Sequence, residues 1–297
     1  MSDGLTSRTV RIATRPSRLA LAQTWLVIEH LRARLPDVRW DVLPIKSEGD
    51  LRADVPLRAF GDKAAFVSAV ESALIDRRAD LAVHSLKDVP LEITRGLRLC
   101  MFLPREDPRD VLVSGGGQPL SGLAPDSRIG TSSIRRARQL SELRSDLRFI
   151  DIRGNVETRL GKLRRGDYDV VILAAAGLKR LGLESEIGER LAPEVCTPAP
   201  GQGIITVQCR DNYELGEELV AAGDTISRVM ADAERFVARQ VGATCTSPFG
   251  VLASVEGSKL RVGAWLGSDS ESRRAVQEGD VDDWRNVALS AATSLTS

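Results

Sequence analysis

LAVHSLKDVP, residues 81–90, reads as a buried strand, Leu81 to Val83, running into a tight polar turn. The turn gathers His84, Ser85, Lys87 and Asp88, and Pro90 stops any helix from continuing. Open α/β sheets build their sites at such strand ends. Asp88 can act there as a proton donor or as a counter-charge; Lys87 draws its pKa down and burial pushes it up. Taken alone, the stretch is equally a plain turn in which Asp88 caps an amide and Lys87 is solvated.

Upstream, Val10 to Ala13 is a short strand. A helical pattern follows from Leu19 to Leu35, apolar at Leu19, Ala22, Leu26 and Leu31 and closed by Pro36. Arg15 falls between that strand and the helix N-terminus, where an anion can bind; a solvated loop arginine fits the same local pattern. Trp40 to Ile45 is the next strand, residues 46–62 read as a mobile polar loop, and a helix from Ala64 to Arg77 leads back to Leu81. Strands alternating with helices predict a parallel sheet, hence an α/β fold.

Downstream, Leu97 to Leu103 is strand-like, and the charged run EDPRD at 106–110 marks a crossing into a second domain. Residues 127–140, SRIGTSSIRRARQL, predict a strand ending at Gly130, caps at Ser132 and Ser133, and a helix. Its first turns carry Arg135, Arg136 and Arg138. Cations at a helix N-terminus oppose the macrodipole by about 0.3–1 kcal/mol each, so a bound anion is expected to relieve them. Arg153 follows the strand Phe149–Ile152, and Lys179 and Arg180 follow the strand Val170–Ala175. Three strand ends bearing arginine on one sheet edge suit a polyanionic ligand. Pro198, Pro200, Gly201 and Gly203 mark a hinge, after which Ile204 to Cys209 returns as a strand to the first sheet. Strands near 250–255 and 260–266 and a helix near 281–294 make a small α+β domain. Cys245 sits in a loop beyond the helix 226–241; an idle surface thiol is the simpler reading of it on local grounds.

The 41 basic residues balance the 41 acidic ones, which removes any overall electrostatic case for nucleic acid. The basic residues are 35 Arg and 6 Lys, a composition that favours bidentate carboxylate recognition but also follows from base composition. Four cysteines without metal spacing and two histidines predict no metal site. No apolar run is long enough to span a membrane, and MSDGLTSRTVR has no signal core. A cytoplasmic protein with reduced thiols is expected.

RIATRPSRLALAQ, HSLKDVP, IGTSSIRRARQL, RGNVETRL, LAAAGLKRLGL, PAPGQG and CTSPFG occur here in order, from residue 11 to about residue 250. In these stretches the chain resembles the porphobilinogen deaminase, or hydroxymethylbilane synthase, family. The resemblance implies two periplasmic-binding-protein-like lobes flanking a cleft plus a small α+β C-terminal domain. Their expected boundaries are 8–104 with 204–222, then 105–203, then 223–297. It implies a transferase that joins four porphobilinogen molecules head to tail, releasing ammonia, to give the linear hydroxymethylbilane of tetrapyrrole (haem) biosynthesis. A divergent relative that binds an anionic pyrrole or other small acid without polymerising it is the alternative.

By the same resemblance, a dipyrromethane cofactor is held by a thioether to Cys245. Asp88 is the catalytic residue: it protonates or holds the departing amine and then stabilises the cation left behind. Ser85, Lys87, Thr131, Ser132, Ser133, Arg135, Arg136, Arg153 and Gly154 bind the cofactor. Arg15, Lys63, Phe66, Arg159, Arg180 and Gln202 bind substrate. A monomer is expected, with no nucleic-acid or membrane partner. The chain departs from the family pattern at Ala243–Thr244, where two glycines usually precede the cysteine, and at Gly61–Ala64. β-Branched Thr resists the backbone angles that glycine permits.

Overall fold

The computed structural model describes residues 8–46, 67–244, 247–268 and 271–297. Lys63, Phe66 and Cys245, and the loop expected at 46–62 beyond Lys46, lie outside the described residues. The chain divides into two compact units, Met1–Pro104 with Ile205–Thr225, and Arg105–Ile204 with Ile226–Ser297.

The first unit is built on β1 (Arg8–Thr14), β2 (Val38–Pro44), β3 (Leu81–Ser85), β4 (Leu97–Phe102) and β10 (Ile205–Arg210). Their order is β2-β1-β3-β10-β4. β1 runs parallel to β2 and β3, as the alternation of strands and helices predicts. β10 enters antiparallel between β3 and β4. Helix α1 (Arg18–Arg32) starts at Ser17, whose Oγ accepts from Ala20 N at 3.3 Å. It buries Val27, Ile28 and Leu31 against Ile12, Leu81 and Val207 of the sheet. Helix α2 (Ser68–Ile75) packs Val70, Ala73 and Leu74 with Ala13 and Ala82. Helix α6 (Gly216–Ala222) adds Leu219 and Ala222.

The second unit repeats the pattern with β5 (Asp110–Ser114), β6 (Arg128–Gly130), β7 (Arg148–Ile150), β8 (Val170–Ala174) and β9 (Glu189–Arg190), in the order β7-β6-β8-β5-β9. β6 is parallel to β7 and β8, and β5 is antiparallel to β8 and β9. Helices α3 (Ile134–Leu143), α4 (Val156–Arg164) and α5 (Ala175–Arg180) follow β6, β7 and β8. Leu140 of α3 and Leu160 of α4 lie in separate apolar clusters, one with Leu112, Ile129 and Ile172, the other with Val111, Val171 and Leu173.

The same unit carries helix α7 (Thr225–Gln240), an antiparallel sheet β11 (Phe249–Glu256), β12 (Lys259–Gly267) and β13 (Ser272–Asp280), and helix α8 (Trp284–Thr296). Glu234 of α7 is fully buried and ties three segments together. It accepts from Arg105 Nη1 at 2.5 Å, Gly201 N at 2.6 Å and Ala253 N at 2.7 Å. Arg105 in turn donates to the carbonyls of Gln202 and Ala253. At Gly203, φ is +90° and a Cβ would run into the Glu106 carbonyl, so only glycine fits here.

Candidate active site

β1 and β3 are parallel neighbours, so their C-terminal ends share one edge of the first sheet. Arg15 stands at the end of β1 and Ser85 at the end of β3. Leu86–Asp88 then forms a single 3-10 turn, closed by Val89 N donating to Leu86 O at 3.0 Å. Leu86 and Val89 are buried and anchor the turn, while Lys87 and Asp88 are exposed on its outer side. Ser85 Oγ accepts from Gln23 Nε2 of α1 at 2.7 Å, which fixes the strand end to the helix.

Behind the turn runs a polar chain, buried at Glu71, Gln208 and His84 and reaching the surface at Thr94. Thr94 Oγ1 donates to Glu71 Oε2 at 2.6 Å, and Gln208 Nε2 donates to Glu71 Oε1 at 2.7 Å. Gln208 therefore presents its carbonyl oxygen to His84 Nε2, 3.0 Å away, so that nitrogen carries the proton. Burial pulls the His84 pKa from 6.5 down to about 4, against opposing pulls from Glu71, Gln208 and Asp88. The folded pKa lies below the unfolded one. The contribution of neutral His84 to stability is therefore complete above pH 6.5 and is lost as the pH falls towards 4. The loss amounts to about 3 kcal/mol at 1.36 kcal/mol per pKa unit. Urea unfolding of wild type and His84→Gln at pH 7 and pH 4 checks it. The wild type is expected to lose more stability than the variant over that range, and parallel losses would contradict the assignment.

In the second unit, parallel β7, β6 and β8 likewise present their C-terminal ends on one edge. Thr131, Ser132 and Ser133 follow β6. Ser132 Oγ donates to Ile152 O at 2.5 Å and accepts from Ile152 N at 3.2 Å, joining the ends of β6 and β7. Ser133 caps α3 by accepting from Arg136 N at 3.4 Å, and Thr131 Oγ1 accepts from Ser133 N. Arg153 and Gly154 follow β7. Gly154 has φ +112°, and a Cβ there would sit 2.5 Å from Thr158 Cγ2. Its carbonyl accepts from Arg159 Nε at 2.9 Å. Arg153 Nη1 is buried with no hydrogen-bond partner among the described residues. A buried guanidinium N–H without an acceptor is costly, and an incoming carboxylate would satisfy it. Arg180, at the end of α5, donates to Gly203 O at 2.5 Å, and burial pulls its pKa down to about 10 against a pull up from Glu106.

The anion expected at the start of α3 is present, but it comes from the chain itself. Asp110, at the start of β5, pairs with Arg135 Nη1 at 2.7 Å and with Arg136 Nη2 at 2.6 Å. Gln202 Nε2, expected to meet substrate, donates to the same carboxylate at 2.9 Å and to Pro108 O at 2.6 Å. Local sequence shows the run of cations at residues 135–138 but not a carboxylate some twenty-five positions earlier; its trace is one acid leading into the apolar strand VLV.

The flanks of Cys245 are ordered by short contacts. Thr244 N donates to Ser247 Oγ at 2.9 Å and Ser247 N to Thr244 O at 3.1 Å. Pro248, Gly267 and Ser268 line a cavity of about 380 Å³ with Ile134 and Arg138 of α3. The expected difficulty at Ala243–Thr244 does not arise: neither residue has positive φ, and Gly242, at +64°, supplies the left-handed turn. Among the described residues no three His, Cys, Asp or Glu side chains are grouped to hold a metal, and no helix is long and apolar enough to cross a membrane.

A protein-family model described as porphobilinogen deaminase, dipyromethane cofactor binding domain, matches residues 10–217. A protein of Roseiflexus sp. (strain RS-1) named Porphobilinogen deaminase is 44% identical over 290 residues, covering 97% of this chain and 96% of its own. Its namesake from Roseiflexus castenholzii is 44% identical over 286 residues, covering 96% and 94%. Among solved structures, a probable amino-acid ABC transporter extracellular-binding protein from Bacillus subtilis matches with a TM-score of 0.44 and 12% identity, over 77% of this chain and 95% of that one.

Proposed function

The chain belongs to the porphobilinogen deaminase family, and from that membership we propose that it is the tetrapyrrole-pathway transferase that joins four porphobilinogen molecules head to tail into hydroxymethylbilane. Each join forms one carbon–carbon bond and releases one ammonia. The observation that carries the reading is the sheet edge bearing Ser132, Ser133 and Arg153, whose buried Nη1 awaits an acceptor. That edge fits a ligand rich in carboxylates, and a dipyrromethane bears several. When bound through Cys245, this cofactor would supply the terminal ring carbon to which the first unit is joined, and each later unit would join the ring added before it.

The chain's own groups divide the remaining work. Arg153 and the hydroxyls of Ser132 and Ser133 receive cofactor carboxylates, and bidentate guanidinium pairing fixes ring orientation as well as affinity. Arg15, Arg159 and Arg180 add positive charge for the acetate and propionate of the incoming substrate, and Lys87 adds it for the cofactor. Asp88, exposed on its turn, holds the substrate ammonium as ammonia departs. It then offsets the positive charge spread over the pyrrole by accepting from the ring N–H. A fixed carboxylate beside a developing cation needs no reorganisation at the moment of reaction. The working form is a monomer in the cytoplasm with no nucleic-acid partner, and sedimentation of the loaded protein tests its size.

Intact mass tests the whole reading. Wild-type protein is expected to exceed its sequence mass by two pyrrole units, and Cys245→Ser is expected to lack the excess. On addition of porphobilinogen the wild type should release many equivalents of ammonia. An unmodified mass that stays unmodified after incubation with porphobilinogen, with no ammonia released, would overturn it.

A further inference from the structure

Two consecutive arginines of α3 converge on one carboxylate that no ligand-based reading of the chain requires. Asp110 opens β5 opposite Ala174, at the C-terminal end of β8, and so enters the edge that carries Ser132 and Arg153. It is fully buried. Oδ1 accepts from Arg136 Nε at 3.0 Å and Nη2 at 2.6 Å, and from Gln202 Nε2 at 2.9 Å. Oδ2 pairs with Arg135 Nη1 at 2.7 Å and accepts from Cys196 Sγ at 3.4 Å. The carboxylate thus has donors for all its lone pairs. The arginines are held by backbone carbonyls as well. Arg136 Nη1 donates to Ile172 O at 2.9 Å, and Arg135 Nη1 donates to Thr197 O at 2.6 Å.

The charges do not balance. The Arg135 and Arg136 side chains are 6% and 8% exposed, and Asp110 is the only carboxylate paired with either among the described residues. Cys196 adds no negative charge, because burial pushes its thiol up to about 12. One positive charge remains, beside the positive end of the α3 dipole. Buried net charge is expensive, and an incoming anion relieves it.

We propose that Asp110 is a positioning residue of the anion-binding edge: through Arg135, Arg136 and Gln202 it sets the guanidinium geometry that receives a ligand carboxylate, and it leaves one positive charge for that ligand to neutralise. The proposal rests on the function proposed above. It differs from a purely structural ion pair in what it predicts for ligand affinity. Losing the Asp110 charge should weaken carboxylate capture in protein that is still folded, and a small carboxylate placed in the vacated space should restore it.

The test compares wild type, Asp110→Asn and Asp110→Ala, each with its folded fraction from circular dichroism. Intact mass after a fixed incubation with porphobilinogen reads cofactor loading, and initial rates give KM and kcat. For folded Asp110→Asn, loading is expected to fall about tenfold and KM to rise about tenfold, a change of 1.4 kcal/mol, with kcat altered less than KM. Asp110→Ala is expected to regain loading in formate but not in chloride at equal ionic strength. Folded Asp110→Asn with wild-type loading and KM overturns the proposal. So does loss of loading that only tracks loss of folded protein, or Asp110→Ala that fails to fold or load with formate. A wild type that neither loads nor releases ammonia overturns the proposed function and this proposal together; a wild type that loads beside an equally loading Asp110→Asn overturns only this one.

Discussion

Asp88→Asn is expected to lower turnover by about 10²-fold or more while leaving the fold intact, the range typical of losing a positioned acid–base or electrostatic group. The structure separates the two effects. The turn is anchored by Leu86 and Val89, both buried, and by the Val89–Leu86 backbone hydrogen bond. Asp88 projects outward and makes no hydrogen bond or ion pair with a described residue, so stability should change by less than about 0.5 kcal/mol. Asn keeps the size and one acceptor of Asp but not its charge, so it can still meet a pyrrole N–H and cannot offset the cation. Ammonia release at saturating porphobilinogen, with a melting curve of the same preparation, reads both. A loss of less than threefold would remove Asp88 from the chemistry.

Glu234→Ala should cost about 3–5 kcal/mol of stability, because it strands a buried cation. Arg105 would keep its carbonyl partners Gln202 and Ala253 but lose its counter-charge, and the Gly201 and Ala253 amides would lose their acceptor. Against a total of about 5–15 kcal/mol this is a large fraction. Glu234→Gln retains one carbonyl oxygen and should cost less than Ala. Urea midpoints of the three proteins rank them; a loss under about 1 kcal/mol for Ala would show that the hub relaxes around the gap.

The parallel cores of both five-stranded sheets were legible because their signals are local: apolar strands alternate with helices closed by Pro36 or capped by Ser133. The return of a strand at 204–209 to the first sheet was legible from the Pro/Gly segment before it; its place between β3 and β4 was not. Strand β13 was missed because it buries only Ala275 along a charged run, SRRAVQEGD, and so lacks an apolar stripe. No element was expected over helix α6, whose seven residues GEELVAA bury only Gly216, Leu219 and Ala222. In the site, the turn at Asp88 and the strand-end Arg153 are written in contiguous residues. The pairing of Asp110 with Arg135 and Arg136, and of Gln208 with His84 and Glu71, joins residues far apart in the chain. Periodicity carries no trace of such contacts. Ala243–Thr244 departs from the family's glycines, but the sequence does not say which residue of the turn takes the positive φ, and Gly242 takes it.

The placement of β10 has a consequence for how the chain is made. β3 and β4 meet only through β10, whose residues follow β4 by about a hundred positions, a long-range closure of the kind that slows folding. The second five-stranded sheet draws all its strands from residues 110–190. In synthesis from the N-terminus, the five-stranded sheet begun first is therefore finished after the one begun second. Until Arg210 has emerged, β3, which bears the Asp88 turn, and β4 each hold an open hydrogen-bonding edge, the feature through which sheets recruit foreign strands. A chain released before residue 205 would keep those edges open, a hazard of self-association that the complete chain closes with one strand.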